Sequence, residues 1–185
     1  MVKLEVSCGL SVKLLDISDA QTLFSLVEAN RSYLKEWLPW LDLTNSHLDS
    51  EAFIQSTHQQ YHDGLGIMGG IYSNNSLVGM CGYHPIDKIN RCANIGYWIA
   101  EKSQGQGIAT RCVAYLVDYA FTELQLEQVS LSIAEHNYKS QAIATRLGLG
   151  RKDIKRDAEY LYDHFVNHIC YSVSRTNWLD RKVID

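Results

Sequence analysis

Proline is nearly absent from this chain of 185 residues, which has only Pro39 and Pro85. No Pro-rich or low-complexity linker divides it, and no internal repeat is present. A chain of this length can bury one sizeable core, whereas two halves would each be undersized, so a single domain over residues 1–185 is expected. Cysteine is sparse and scattered, at Cys8, Cys81, Cys92, Cys112 and Cys170, with no Cys-x-x-Cys pair. That argues against a disulfide framework or a zinc site, and no metal is expected; buried thiols in a reducing cytoplasm fit better. No stretch approaches the roughly 18 uninterrupted apolar residues of a membrane span. The segment Met1–Leu15 mixes charged and apolar residues and lacks the apolar centre of a signal peptide. A soluble, cytoplasmic protein with no membrane partner follows as the expectation. Basic residues are in deficit, 17 against 21 acidic ones for a net charge of −4, which argues against a nucleic-acid partner gripped through phosphates.

What is present is ordinary for a globular domain: 46% hydrophobic and 21% charged residues. Leu10–Leu15 reads as a strand, and Asp16 to Asp19 supply caps for a helix over Ala20–Ala29. Tyr33–Leu41 reads as a short helix and a turn, and Ser50–Tyr61 as a polar helix. Ile67–Tyr72 and Leu77–Tyr83 are short apolar runs separated by Ser73-Asn74-Asn75-Ser76, a hairpin signal. Arg91–Ala100 is apolar on both faces, like a central strand. From Gly107 to Leu124 the period becomes helical, with Ile108, Cys112, Leu116 and Ala120 four apart. Gln128–Ala134 alternates as a strand, Tyr138–Leu147 reads as a helix closed by Gly148, and Asn167–Ser174 as a last strand. The expected architecture is α/β: one mixed, mostly antiparallel sheet with helices on both faces.

The segment with chemical content joins the central strand to the next helix: Trp98-Ile-Ala-Glu-Lys-Ser-Gln-Gly-Gln-Gly-Ile-Ala109. Glycines let the backbone approach a ligand, and the first N–H groups of a helix have no internal acceptor. With the positive end of the helix dipole, such a turn suits a pyrophosphate. The loop lacks the Gly-Lys-Ser/Thr ending of a P-loop and the three-glycine spacing of a Rossmann turn. Taken alone, it is also compatible with an ordinary tight connection.

Gln104-x-x-Gly107-x-Ala109 resembles the coenzyme A signature of the GNAT acetyltransferases. Within that superfamily the chain is similar to the ribosomal-protein serine N-acetyltransferases, the RimJ/RimL group. The likeness spans Asn30 to Trp40, Ile95-Gly-Tyr-Trp98, the glycine loop, Asn137-Tyr-Lys-Ser140 with Leu147-Gly148, and Ala158-Glu-Tyr-Leu161. It implies the GNAT fold and acetyl-CoA as co-substrate. The amides of Gln104, Gly105, Gln106, Gly107, Ile108, Ala109 and Thr110 would hold the pyrophosphate. The strand through Trp98 and Ile99 would splay from Gln128–Ala134 to admit pantetheine, and Asn137 would bond that arm. Ser140 would protonate the leaving thiolate, and Glu159 would face the incoming amine. Many relatives carry a Glu on the central strand where this chain has Asn94, which cannot act as a base.

That departure bears on the acceptor. An α-amine, with a pKa of about 7.7–8.0, is roughly 10–20% neutral at pH 7, against about 0.04% for a lysine side chain. A site lacking the strand Glu therefore favours a protein N-terminus, and the resemblance implies a ribosomal protein beginning with serine. Trp37, Trp40, His84 and Asn94 are candidates for the acceptor groove, along with Tyr33; core packing is an equal account of the aromatics. Lys102, Arg111 and Lys139 flank the loop and would by default be solvated. Two alternatives stay open: a small-molecule amine acetyltransferase, with Asp42, Asp49 and Glu51 as its candidate acids, and a non-catalytic acetyl-CoA-binding domain. A homodimer is expected, as for many soluble enzymes.

Overall fold

The computed structural model describes residues 2–181. Eight strands form one sheet in the order β1-β2-β3-β4-β5-β6-β8-β7. They are β1 (Lys3–Ser7), β2 (Leu10–Lys13), β3 (Met68–Ser73), β4 (Ser76–Tyr83), β5 (Cys92–Ile99), β6 (Gln128–Ala134), β7 (Gly150–Leu161) and β8 (His164–Ser174). Every neighbouring pair is antiparallel except β5 and β6, which run parallel. A parallel pair needs a crossover, and α4 (Ile108–Thr122) provides it.

The strand alternation splits the core in two. Ala93, Ile95 and Ile99 of β5, with Val129, Leu131 and Ile133 of β6, face Cys112, Val113, Leu116 and Val117 of α4. The opposite face, with Met80 of β4, is covered by α1 (Ala20–Ala29), α2 (Arg31–Lys35) and α3 (His47–His62) through Leu23, Val27, Leu34 and Ile54. The helix α5 (Tyr138–Arg146) joins the α4 side through Ala144. Turn chemistry is as the residues dictate: Asn74 and Asn75 take positive φ in the β3–β4 hairpin. Asp16 caps a short 3₁₀ turn over Ile17–Asp19, which then continues as α1.

The differences from expectation lie at the ends. The strand β1 and the last helix, α6 (Arg175–Arg181), were not anticipated, and α3 begins three residues earlier than expected. The largest difference is Gly150–Leu161, where a solvated charged stretch forms a 12-residue strand. Nearly all its residues are exposed on both faces, so no alternation marks it. Backbone pairing with β8 holds it, interrupted by two irregularities in register.

Candidate active site

The parallel pair at the centre of the sheet starts together and then parts. Cys92, Ala93 and Asn94 of β5 face Gln128, Val129 and Ser130, and no pairing follows, although the strands run on to Ile99 and Ala134. On its other side β5 stays paired with β4 as far as Ile99. His84 N donates to Asn94 O and Ala100 N to Val78 O, so the even-numbered backbone groups of β5 are spent on β4. Strand alternation turns those of Ile95, Tyr97 and Ile99 into the gap. Asn94 sits at the fork, where its Nδ2 donates to Ser130 Oγ and Ser132 Oγ, each at 3.1 Å. A cavity of about 1020 Å³ fills the parting.

The start of α4 forms one end of this cavity. Gly107 is its N-cap, with φ 71°, and it offers no side-chain bond to the first turn. The first helical bond of the new turn runs from Arg111 N to Gly107 O, so the N–H groups of Ile108, Ala109 and Thr110 have no helical acceptor. A Cβ built on Gly105 or Gly107 would meet nothing within 4 Å. Glycine is therefore required there by its positive φ and not by crowding, and the space above stays open. Gln104 Oε1 accepts from Lys139 Nζ at 3.0 Å, while its buried Nε2 lacks a partner, the sole such side-chain atom among the described residues. Three cations border the cavity: Lys139, Arg111 bonded to Ser7 Oγ, and Arg146 bonded to Thr110 Oγ1.

The start of α5 forms the adjoining wall. Asn137 Oδ1 accepts from Ser140 N at 3.0 Å, capping the helix. Ser140 Oγ lies 2.6 Å from Tyr97 Oη. Burial pushes the Tyr97 phenol up to about 12, against the lowering effect of its bond to Ser140. Both hydroxyls therefore stay protonated at any working pH, and together they can pass a proton to a group placed beside them.

Across the sheet, strand alternation turns Asn94, Gly96 and Trp98 toward α1–α3. The ring of His84 rests on Gly96, since a Cβ there would come within 2.7 Å of its Nε2. Burial holds His84 below the ordinary imidazole value while the Glu159 charge pulls the other way, although the ring stays open to the cavity. Glu159 is half-buried, and its Oε2 lies 3.5 Å from His168 Nε2 of β8. Both residues border the cavity. The cavity is thus bordered by a hydroxyl pair, Ser140 and Tyr97, and by the Glu159 carboxylate beside the His168 imidazole.

The acetyltransferase (GNAT) domain family matches residues 10–150. The chain belongs to this GNAT family, and it is an acetyl-CoA-dependent N-acetyltransferase. A Bacillus subtilis (strain 168) protein provisionally assigned as the ribosomal N-acetyltransferase YdaF is 34% identical over 98% of this chain and 100% of its own length. The ribosomal-protein-serine acetyltransferase of Escherichia coli (strain K12) is 25% identical over 88% of this chain and 90% of its own. Among solved structures, the ribosomal L7/L12 α-N-protein acetyltransferase RimL in complex with coenzyme A superimposes with a TM-score of 0.90 at 25% identity. That match covers 94% of this chain and 98% of the other.

In this acetyltransferase one cavity brings together Trp98, Ile99, Gln104, Gly105, Gly107, Ile108, Ala109, Thr110, Asn137, Ser140, Glu159, Trp37, His84 and Asn94. The Gln106 side chain turns back to Lys102 O at 3.3 Å and lies outside the wall, which does not bear on the backbone amide expected to serve the pyrophosphate. Trp40 borders an adjoining hollow instead, tilted against Trp98 at 6.4 Å between ring centroids. Asn94 is less free than an acceptor ligand should be, since both amide protons are engaged at the fork. Sequence reasoning overlooked Tyr97, His168, Arg146 and Asn30. Tyr97 had a signal, sharing strand parity with Ile95 and Ile99 beside the glycine loop. Asn30 Oδ1 accepts from Glu101 N at 2.9 Å and so ties α1 to that loop, a long-range bond with no local signature.

The groups present fit an acyl-CoA: open amides for a diphosphate, cations around them, an orphaned amide at Gln104, and unpaired strand edges for the amide-bearing pantetheine arm. Among the described residues no cluster of three or more potential metal ligands occurs, and no helix is long and apolar enough to cross a membrane.

Proposed function

We propose that this acetyltransferase modifies the N-terminal α-amine of a protein, specifically a ribosomal protein that begins with serine. The observation that carries the reading is the parting of β5 from β6, which opens a route from the coenzyme side of the sheet to the acceptor side. Bound acetyl-CoA supplies an activated thioester. The amides of Ile108, Ala109 and Thr110, with those of Gly105 and Gln106, would hold its diphosphate, and the gap-facing groups of Ile95, Tyr97 and Ile99 its pantetheine. The Asn137 carbonyl is committed to capping, so its Nδ2 is the atom available to that arm.

In a ternary complex the neutral amine forms the new C–N bond as the C–S bond breaks. Backbone N–H groups of β5 receive the developing oxyanion. The amine's proton passes to Glu159, directly or through water. The thiolate takes the Ser140 proton, and Tyr97 replaces it through their 2.6 Å contact. Water returns a proton to Tyr97 as Glu159 releases the amine's proton to water, which restores both groups. Glu159 has the added task of holding His84 and His168 around the entering amine.

The small-molecule alternative gains no support from the acids considered for it. Asp42 is paired with Lys35 at 2.6 Å, Asp49 caps α3, and Glu51 accepts from Gln55. We take the functional unit to be one domain over residues 1–185, acting in the cytoplasm as a homodimer; the exposed edge of β7 supports pairing between copies.

Purified enzyme mixed with acetyl-CoA and peptides having a free N-terminal serine should release thiol and add one acetyl mass to the α-amine, with lysine side chains left unmodified. Coenzyme binding without thiol release from any amine would overturn the reading in favour of a non-catalytic binder.

A further inference from the structure

The fork where β5 parts from β6 holds a polar cluster with a defined direction. Asn94 Nδ2 donates to Ser130 Oγ and to Ser132 Oγ, each at 3.1 Å. A serine hydroxyl has one proton, and that of Ser130 goes to Ala93 O at 3.2 Å. Ser130 Oγ can therefore only accept from Asn94, which fixes the branch of the amide that faces β6. With both Nδ2 protons engaged, Oδ1 is the branch turned away from the serines. No donor among the described residues meets it. The sole sealed side-chain atom without a partner among those residues is Gln104 Nε2, so Oδ1 opens onto the cavity that Asn94 borders. The backbone beneath it is held from both sides: Asn94 O accepts from His84 N at 2.9 Å, and Asn94 is the last residue of β5 paired with β6. The donor half of Asn94 is spent and its acceptor half is not.

We infer that Asn94 Oδ1 accepts a hydrogen bond from one N–H of the incoming amine, and that Ser130 and Ser132 aim it for that task. The inference rests on the α-amine reading above and names the group that holds the amine while Glu159 receives its proton. A carbonyl oxygen engages an N–H and leaves the nitrogen lone pair free to attack the thioester. It carries no full charge, so it does not hold the amine as an ammonium ion in the way a carboxylate at the same place would. An oxygen fixed before the amine arrives needs no reorganisation at the moment of reaction.

The test compares two peptides by calorimetry on enzyme saturated with the product coenzyme A, at about pH 8.5, where most α-amines are neutral. One peptide begins with serine; in the other the α-amine is replaced by hydrogen. The parent should bind the amine peptide roughly tenfold more tightly, the size of one hydrogen bond. Asn94→Leu, with as many side-chain atoms but no acceptor, should bind the two alike while its acetyl-CoA affinity is unchanged. The double variant Ser130→Ala, Ser132→Ala keeps Oδ1 but releases the amide, so it should show a smaller difference than the parent. That variant carries the test by itself where Asn94→Leu does not fold. Equal binding of the two peptides by the parent, or a tenfold difference that persists in the variants, would overturn the inference alone. So would a fall in acetyl-CoA affinity with the amine difference intact, which would assign Asn94 to holding the fork. A parent enzyme that binds acetyl-CoA and acetylates no peptide would overturn the α-amine reading and this inference together.

Discussion

Two helices begin at the same cavity and begin differently. The helix α4 starts at Gly107 with no side chain to satisfy its first turn. The helix α5 starts at Asn137, whose carbonyl accepts from Ser140 N at 3.0 Å. An open start leaves N–H groups and the dipole end to a ligand; a closed start spends them on rigidity. The open end is where an anion can be gripped. The closed end is where a side chain must be held still, and the side chain held there is Ser140, against Tyr97.

The sharpest way to break this contrast is to close the open end. Gly107→Asp places a capping carboxylate where a diphosphate would lie, at a backbone angle that Asp tolerates better than most residues. Two or three charge-assisted bonds are lost and a repulsion is added. Acetyl-CoA affinity should fall about 100-fold or more, read by calorimetry, with the thermal midpoint close to that of the parent. Unchanged affinity would mean that the turn does not hold the phosphates.

The next largest effect concerns what the closed end holds. Ser140→Ala leaves the Asn137 cap intact, because the cap uses the backbone N–H. The expected outcome is a fall in kcat of about 100-fold with acetyl-CoA affinity unchanged. Tyr97→Phe should lower kcat less, since Ser140 keeps its own proton. Because the Tyr97 phenol is raised to about 12, neither hydroxyl ionises at the alkaline end of an ordinary profile. The parent rate should therefore show no loss up to about pH 9 from this pair.

A smaller effect lies across the gap. Burial lowers the His84 value, and the Glu159 charge raises it again. Glu159→Gln removes the raising influence, so the imidazole should take up its proton at a lower pH than in the parent, read from its ring proton shifts by NMR. If the titration does not move, Glu159 and His84 are not neighbours in the sense argued above.

Much of this was legible in the sequence where side chains carry a period. The stripe of α4, the strand β6 and the glycine turn each announce themselves, and the family resemblance set them in order. The strand β7 could not be read, because an edge strand exposed on both faces has no buried side to mark it. Glu159 was found by resemblance, yet its surroundings were not. His168 lies nine residues away in sequence on the neighbouring strand, and strand register decides that they meet. Tyr97 was quoted in a motif but given no role, since its value comes from the 2.6 Å contact with Ser140 across 43 positions. The side-chain positions of Trp40 and Gln106 were equally hidden: Trp40 borders the adjoining hollow against Trp98, and the Gln106 side chain turns back to Lys102 O, which leaves the expectation for its backbone amide unchanged.

The smallest effect separates rigidity from chemistry at the closed end. Asn137→Ala removes the cap of α5 and should cost about 1 kcal/mol of folding stability, seen in denaturant unfolding. Asn137→Asp keeps an acceptor for Ser140 N and should restore that stability, while lacking the amide donor proposed for pantetheine. If α5 needs Asn137 for its cap alone, the Asp variant will match the parent in both stability and KM for acetyl-CoA. If the Nδ2 donor also serves the coenzyme, the Asp variant will regain stability but keep a KM raised by roughly tenfold, the size of one hydrogen bond of about 1–1.5 kcal/mol.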